Sequence, residues 1–193
     1  MVKMMSATST TMTLAQFLNY DDGTETLYEL ENGELIPMPS ESEINRRIAM
    51  FLLIYFSQLG IPPQQLTMKT EVAVSGSRVS VRVPDLMVLS EELEIALEGA
   101  TRSIVMMDMP PPLLVVEVVS PNQEKRDYRY KRTEYAARGI AEYWIVDPIL
   151  QQVTIFEWVE GLYEEKVYTG SDAIASSIFE ELDLTVDRIL QGK

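Results

Sequence analysis

The apolar run at residues 113–119, LLVVEVV, constrains the fold of this chain more than any other segment. A continuous run of this length is typical of a β-strand whose two faces are both covered. We therefore predict a central strand in a sheet with helices packed against it. Glu117 is the one charged residue in the run, and an unpaired buried carboxylate costs several kcal/mol. The same segment therefore contains a candidate functional residue.

The segments around this strand indicate an α/β (α+β) chain. We predict a helix over residues 44–59, extended segments over 66–74, 78–89 and 140–146, and a helix in the basic segment 125–138 that ends at Gly139. Asn32-Gly33 and Glu160-Gly161 lie between alternating stretches and predict a hairpin near each end. We expect a flexible tail at residues 1–12 and a single domain at 13–193, with no assignment for residues 171–193.

Two residue types are absent, and their absence excludes several kinds of chemistry. The 193 residues include no Cys and no His. Disulfides, thiolate zinc sites, cysteine nucleophiles, Ser-His-Asp triads and imidazole bases are therefore excluded. Any catalysis has to use carboxylates, Lys, Arg, Tyr, hydroxyl groups and a bound ion.

Charge is distributed unevenly along the chain. The formal net charge is −14, which argues against a protein that coats nucleic acid generally, because phosphate binding needs Lys and Arg. Residues 125–138, KRDYRYKRTEYAAR, nevertheless carry a local charge of +4. The longest apolar stretch, residues 48–56, is shorter than the ~20 residues of a membrane span, and the N-terminus lacks a secretory pattern. We expect a cytoplasmic protein without a membrane segment.

Three residues are candidates for chemistry, and each also has an ordinary structural interpretation. Glu117 is either a metal ligand or a carboxylate that is edge-exposed or paired with a cation. Asp85 follows Pro84, which loosens a strand, and a turn residue is the plain alternative. Lys131 shares a helix face with Asp127 and Tyr135, which is usually a solvated face. Because its helix follows the Glu117 strand, a right-handed return could bring Lys131 to the carboxyl end of that strand.

The order and spacing of these residues resemble a known family. The pattern runs through Val83-Pro84-Asp85, Glu117 within PPPLLVVEVVSP, the helix with Asp127, Lys131 and Tyr135, and GIAEYWIVD at 139–147. Over residues ~25–170, about one domain length, this resembles the bacterial "putative restriction endonuclease" family of the PD-(D/E)XK nuclease superfamily. The resemblance implies a restriction-endonuclease-like core, with a mixed central β-sheet flanked by helices and extra hairpins at both ends.

The resemblance also implies roles for individual residues. Asp85 matches the Asp of the PD element and Glu117 the acidic residue of the (D/E)XK element, so both would bind Mg²⁺, with Mn²⁺ able to substitute, together with the Val118 carbonyl. Val119 stands where the superfamily has Lys, so the family's lysine would be Lys131, assisting the attacking water. Possible accessory residues are Glu43, Asp127 and Tyr135.

The activity that the resemblance implies is metal-dependent hydrolysis of DNA phosphodiester bonds. The candidate phosphate-binding residues are Arg126, Arg129, Arg132 and Arg138. On an acidic chain they predict weak, salt-sensitive DNA binding. The principal alternative is a catalytically inactive, homodimeric interaction module with the same fold. A glycosidase with a carboxylate pair is a third interpretation, but it leaves Lys131 and the basic helix unexplained.

Overall fold

The computed structural model describes residues 11–75, 78–121 and 124–193. Of the predicted tail at residues 1–12, residues 1–10 lie outside the described residues. The backbone N–H of Met12 donates to the Gly33 carbonyl. The α-helices are α1 Leu14–Leu18, α2 Glu43–Gln58, α3 Glu91–Leu97, α4 Arg132–Arg138 and α5 Val186–Gln191. Across these residues, no helix is both long and apolar enough to traverse a bilayer.

The strands of the described residues form two sheets. Their bounds are β1 Tyr28–Glu31, β2 Glu34–Pro37, β3 Leu66–Thr67, β4 Glu71–Ser75, β5 Val79–Arg82, β6 Leu86–Val88, β7 Ile104–Val105, β8 Leu114–Val118, β9 Glu142–Asp147, β10 Gln152–Val159 and β11 Leu162–Thr169. One sheet has the order β2-β1-β5-β4-β7 and the other β11-β10-β9-β8-β6-β3. The second sheet is mixed, because β8 and β9 are parallel while its other neighbouring strands are antiparallel.

The apolar run forms the predicted central strand. All five residues of β8 are buried, and β8 lies between β6 and β9. Val116 packs in a core cluster with residues of α2 and α5, whereas Val115 packs in a second cluster with Tyr135 of α4. Because alternate side chains point to opposite faces, Glu117 lies on the same face as Val115. The sheet therefore directs Glu117 towards the basic helix.

The predicted extended segment at 78–89 is divided between the two sheets. Residues up to Arg82 belong to β5 in the first sheet, and residues from Leu86 belong to β6 in the second. Pro84 has no backbone N–H to donate to a ladder, which favours a break at this point. The chain crosses between the sheets at Val83-Pro84-Asp85. Asp85 thereby comes to the start of β6.

The structure confirms both predicted hairpins and the predicted end of the basic helix. In the first hairpin, Asn32 and Gly33 have φ values of 51° and 85°, and Glu160 and Gly161 of the second have 50° and 94°. Left-handed conformations at both central residues are those that two-residue hairpin turns require. Gly139 ends α4 with φ 76°, as expected for a glycine C-cap.

The basic helix has an irregular first half. Residues Arg126–Lys131 form a π-helix, and α4 continues from Arg132. Short π-helical turns inside α-helices occur frequently at functional sites. Asp127 and Lys131 are the buried residues of this turn. The two charged side chains therefore point inward together.

Candidate active site

Strand register brings Asp85 and Glu117 together. In the antiparallel pair of β6 and β8, Leu86 is opposite Val116; Asp85 directly precedes Leu86, and Glu117 directly follows Val116. Both side chains line the same pocket. The backbone N–H of Val118 donates to Asp85 Oδ2 at 2.8 Å, which holds the carboxylate at the end of β8. Two predicted site residues thus meet at the junction of the two sheets.

Glu117 is buried in a mainly negative environment. The side chain accepts a hydrogen bond from the Tyr135 hydroxyl at 2.7 Å and contacts Lys131 Nζ at 2.8 Å. Burial raises the pKa of Glu117 to about 8; Lys131 opposes this, while the carboxylates of Asp127 and Asp85 add to it. Near neutral pH, Glu117 therefore holds a proton for much of the time unless a further cation is present.

Lys131 is the cation at the centre of this cluster. Its Nζ lies 2.8 Å from Glu117, 3.1 Å from Asp127 and 3.7 Å from Glu29. Burial acts to lower the pKa of Lys131, but these carboxylates outweigh it and raise the pKa above its usual value. Burial also raises the pKa of Asp127. Lys131 is therefore a permanently charged hydrogen-bond donor.

Glu29 and Arg82 belong to the site although the sequence did not indicate them. Arg82 is fully buried and ion-paired with Glu29, Glu31 and Glu134. Burial acts to raise the pKa of Glu29, but Lys131, Arg82 and Arg126 lower it to about 2. A lone Arg in the apolar strand VSVRV was the signal that could have pointed to this network. Through Glu29, whose Oε1 lies 3.7 Å from Lys131 Nζ, the network also helps to position Lys131.

The predicted accessory residues separate into two groups. Asp127 and Tyr135 contact the cluster directly, as described above. Glu43 has a largely exposed side chain that pairs with Arg46, and the structure does not bring it into the pocket. Glu41 lines the pocket in its place and pairs with Lys69, which also contacts Asp85.

The four predicted phosphate-binding arginines occupy different environments. Arg126 lines the pocket and pairs with Glu29 and Glu31. Arg129 is exposed on the π-helical turn. Arg132 pairs with Glu165, and Arg138 donates to the carbonyls of Met106 and Met109. Of this set, Arg126 lines the pocket, and Arg129 has an exposed side chain on the same π-helical turn.

These groups surround one pocket of about 70 Å³. A single water needs ~10–15 Å³, so a partly hydrated ion fits. The side chains and backbone groups that line the pocket come from Glu29, Met38, Pro39, Glu41, Asn45, Lys69, Val83, Asp85, Glu117, Val118, Ser120, Arg126, Asp127 and Lys131. The pocket is therefore polar, acidic and shared by both sheets.

The donor chemistry of the pocket fits a hard divalent cation. Asp85 and Glu117 supply carboxylates, and the Val118 carbonyl, which accepts from Asn45 Nδ2 at 3.1 Å, has a second lone pair. Within the described ranges, no group of three or more His, Cys, Asp or Glu side chains is arranged to hold a metal. Mg²⁺ is commonly bound by one or two carboxylates with water in its other positions. These donors agree with that pattern.

Comparisons with known proteins point to one family and one fold. Residues 14–187 match the Uma2 family, which is described as "Putative restriction endonuclease". A crystal structure from Anabaena variabilis ATCC 29413, described as a "putative nuclease belonging to DUF820", is 19% identical with a TM-score of 0.74. The alignment covers 94% of this chain and 98% of that chain, and it shows a shared fold. No curated protein matches this chain.

Proposed function

Because the chain belongs to the Uma2 restriction-endonuclease family, we propose that it is a Mg²⁺-dependent endonuclease that hydrolyses DNA phosphodiester bonds. The observation that carries this proposal is that Asp85, Glu117 and Lys131 line one pocket, with Lys131 Nζ 2.8 Å from Glu117. Two carboxylates can hold a divalent ion, and a lysine beside them can stabilise negative charge that develops on the phosphate. Mn²⁺ is expected to substitute for Mg²⁺, because both accept oxygen ligands.

In this proposal, Asp85, Glu117 and the Val118 carbonyl hold the metal. The bound ion would activate a water molecule and offset charge on the phosphoryl oxygens. Tyr135 and the Val118 N–H fix the two carboxylates by donating to their remaining oxygens. These hydrogen bonds keep the ligands in place before any ion arrives, which lowers the cost of binding it.

Lys131 acts as a hydrogen-bond donor and not as a base. Its carboxylate neighbours keep the ammonium protonated, so it cannot accept the proton of the attacking water. It can orient that water or stabilise negative charge that develops on the phosphate. Asp127 and Glu29 hold the ammonium in position.

The DNA-binding part of the proposal depends on the basic helix. Arg126, which lines the pocket, and the exposed Arg129 are the candidate phosphate contacts, whereas the chain as a whole carries −14. Binding is therefore expected to be weak and to fall steeply with salt. Because a protein with the same fold comes from the bacterium Anabaena variabilis, and bacterial DNA lies in the cytoplasm, we infer a cytoplasmic site of action. The homodimer remains a prediction.

The test combines metal binding with DNA cleavage. Calorimetric titration of Mg²⁺ and Mn²⁺ should give saturable binding for wild type that Asp85→Asn abolishes. Asp187→Asn removes one negative charge from an exposed position on α5 and is the matched control. Nicking of supercoiled plasmid should need the metal and be lost in Asp85→Asn and Lys131→Met but not in Asp187→Asn.

The inactive-module alternative predicts a different result. Asp85 and Glu117 are both paired with lysines in the structure, which would also suit carboxylates kept for stability alone. In that case neither metal would bind at millimolar concentration, with or without DNA. Plasmid nicking would be absent from purified wild type. That pair of results would refute the nuclease proposal.

A further inference from the structure

Lys69 contacts a proposed metal ligand, yet the nuclease pattern contains no residue that corresponds to it. Its Nζ lies 2.5 Å from Asp85 Oδ1 and 3.2 Å from Glu41 Oε1. Since Asp85 Oδ2 already accepts from the Val118 N–H, both oxygens of this carboxylate have protein partners. A cation that binds Asp85 must therefore share the carboxylate with Lys69 or displace it.

The backbone at Lys69 is held in an unusual conformation. Lys69 has φ 58°, in the left-handed region, which is strained for a residue other than glycine. Its N–H donates to the Pro84 carbonyl at 3.3 Å, next to Asp85 in sequence. This contact fixes the base of the side chain beside the carboxylate. The local fold therefore places the Lys69 ammonium group next to Asp85.

The two lysines of the pocket differ in their freedom to move. The Lys131 side chain is 9% exposed and contacts three carboxylates, whereas that of Lys69 is 28% exposed and contacts two. Lys69 also lines a neighbouring open groove with Glu25 and Leu27. Space for a different side-chain position is thus available to Lys69 but not to Lys131. Of these two lysines, Lys69 is therefore the one whose ammonium group can move away from its carboxylate partners.

We propose that Lys69 is a counter-ion that occupies Asp85 in the resting site and is displaced when a divalent cation binds. This inference rests on the proposed function, because it assumes that Asp85 is a metal ligand. The ammonium group holds the Asp85 carboxylate in position, at the cost of competing with the metal for Oδ1. Lys69 would accordingly set the metal concentration at which the site fills.

The direct test is calorimetry with Mn²⁺ alone and with Mg²⁺ alone on the full chain. Lys69→Met should bind each metal about two- to fivefold more tightly than wild type, which is the upper part of the range for losing a partly exposed ion pair. Lys166→Met, an exposed position on β11, makes the same change in net charge and should leave the affinity within about twofold. Unchanged or weaker binding by Lys69→Met would overturn the inference.

A second measurement uses wild type and does not depend on how the variant folds. Lysine ammonium signals can be followed by ¹H–¹⁵N NMR while Mg²⁺ is added. The Lys69 signal should be protected by its hydrogen bond to Asp85 at first, and should lose that protection as the site saturates. A Lys69 signal that stays protected at saturation would overturn displacement.

The outcomes also separate this inference from the proposed function. If wild type and Lys69→Met bind metal equally, and Asp85→Asn abolishes both, only the role of Lys69 is wrong. If no binding in either protein depends on Asp85, the metal site itself is wrong and the inference is refuted with it. Binding that is detectable only in Lys69→Met would support both.

Discussion

Replacing Glu117 with Gln should change how the stability of this protein depends on pH. Glu117 has a pKa of about 8 in the folded state, against 4.5 as its reference value. The folded state therefore holds one more proton than the unfolded state between these two pH values. By linkage, the stability that this proton contributes is fully present below pH ~4.5 and is lost as the pH rises through 8.

The magnitude follows from the two pKa values. Between pH 5 and pH 9 the loss is about 4 kcal/mol for an isolated group with this shift. In Glu117→Gln the side chain stays neutral and can keep both contacts, with its amide oxygen facing Lys131 and its amide nitrogen facing the Tyr135 hydroxyl. The free energy of unfolding of the variant should therefore increase relative to that of wild type by about this amount as the pH rises from 5 to 9.

The assay is urea unfolding at a series of pH values between 5 and 9, with a chelator present. Glu180→Gln, at an exposed position, is the matched control and should run parallel to wild type. Glu29, whose pKa is lowered to about 2, changes the free energy of unfolding only below pH ~4.5, which is outside the range of the assay. If the curves of wild type and Glu117→Gln are parallel from pH 5 to pH 9, then burial does not raise the pKa of Glu117 as argued.

Two further predictions concern arginines. Arg82→Met should lower the free energy of unfolding by about 3–5 kcal/mol, because it leaves Glu29 and Glu134 buried without their partner. Arg46 is exposed, so Arg46→Met should lower it by less than about 1 kcal/mol. Equal losses for the two variants in urea unfolding would contradict the buried network. Arg129→Ala should weaken DNA binding and reduce the slope of log affinity against log salt by about 1, while Arg188→Ala on α5 should not. Fluorescence anisotropy with a labelled duplex measures both slopes, and an unchanged slope for Arg129→Ala would exclude a phosphate contact.

Local signals in the sequence were sufficient for most of the elements around the site. The apolar run at 113–119 identified the central strand, and Asn32-Gly33 identified the first hairpin, because each depends on residues that are adjacent in the chain. The division of 78–89 between two sheets was not predicted. A break at Pro84 was visible, but the change of sheet depends on which strands pair, and pairing is a long-range property.

The same distinction separates the site residues that were predicted from those that were missed. Asp85, Glu117 and Lys131 were indicated by residue type and spacing, and the structure brings all three to one pocket. Glu29 was missed because its partner Arg82 lies 53 residues away, and Lys69 because it meets Asp85 through a contact across 16 residues. The π-helical turn was missed as well, since Asp127 and Lys131 have a spacing that also fits an α-helix.

The charge balance of the pocket explains how an acidic chain can hold a site for a polyanion. The cations around it, Arg82, Arg126, Lys69 and Lys131, are outnumbered by the carboxylates of Glu29, Glu31, Glu41, Asp85, Glu117, Asp127 and Glu134. Burial raises the pKa of Glu117 and this excess adds to the rise, while the same excess would attract a divalent cation. A phosphodiester would be repelled by the pocket alone, and a bound divalent ion would offset most of this negative charge. In the proposed function, metal binding and substrate binding would therefore be coupled through the same surplus of carboxylates.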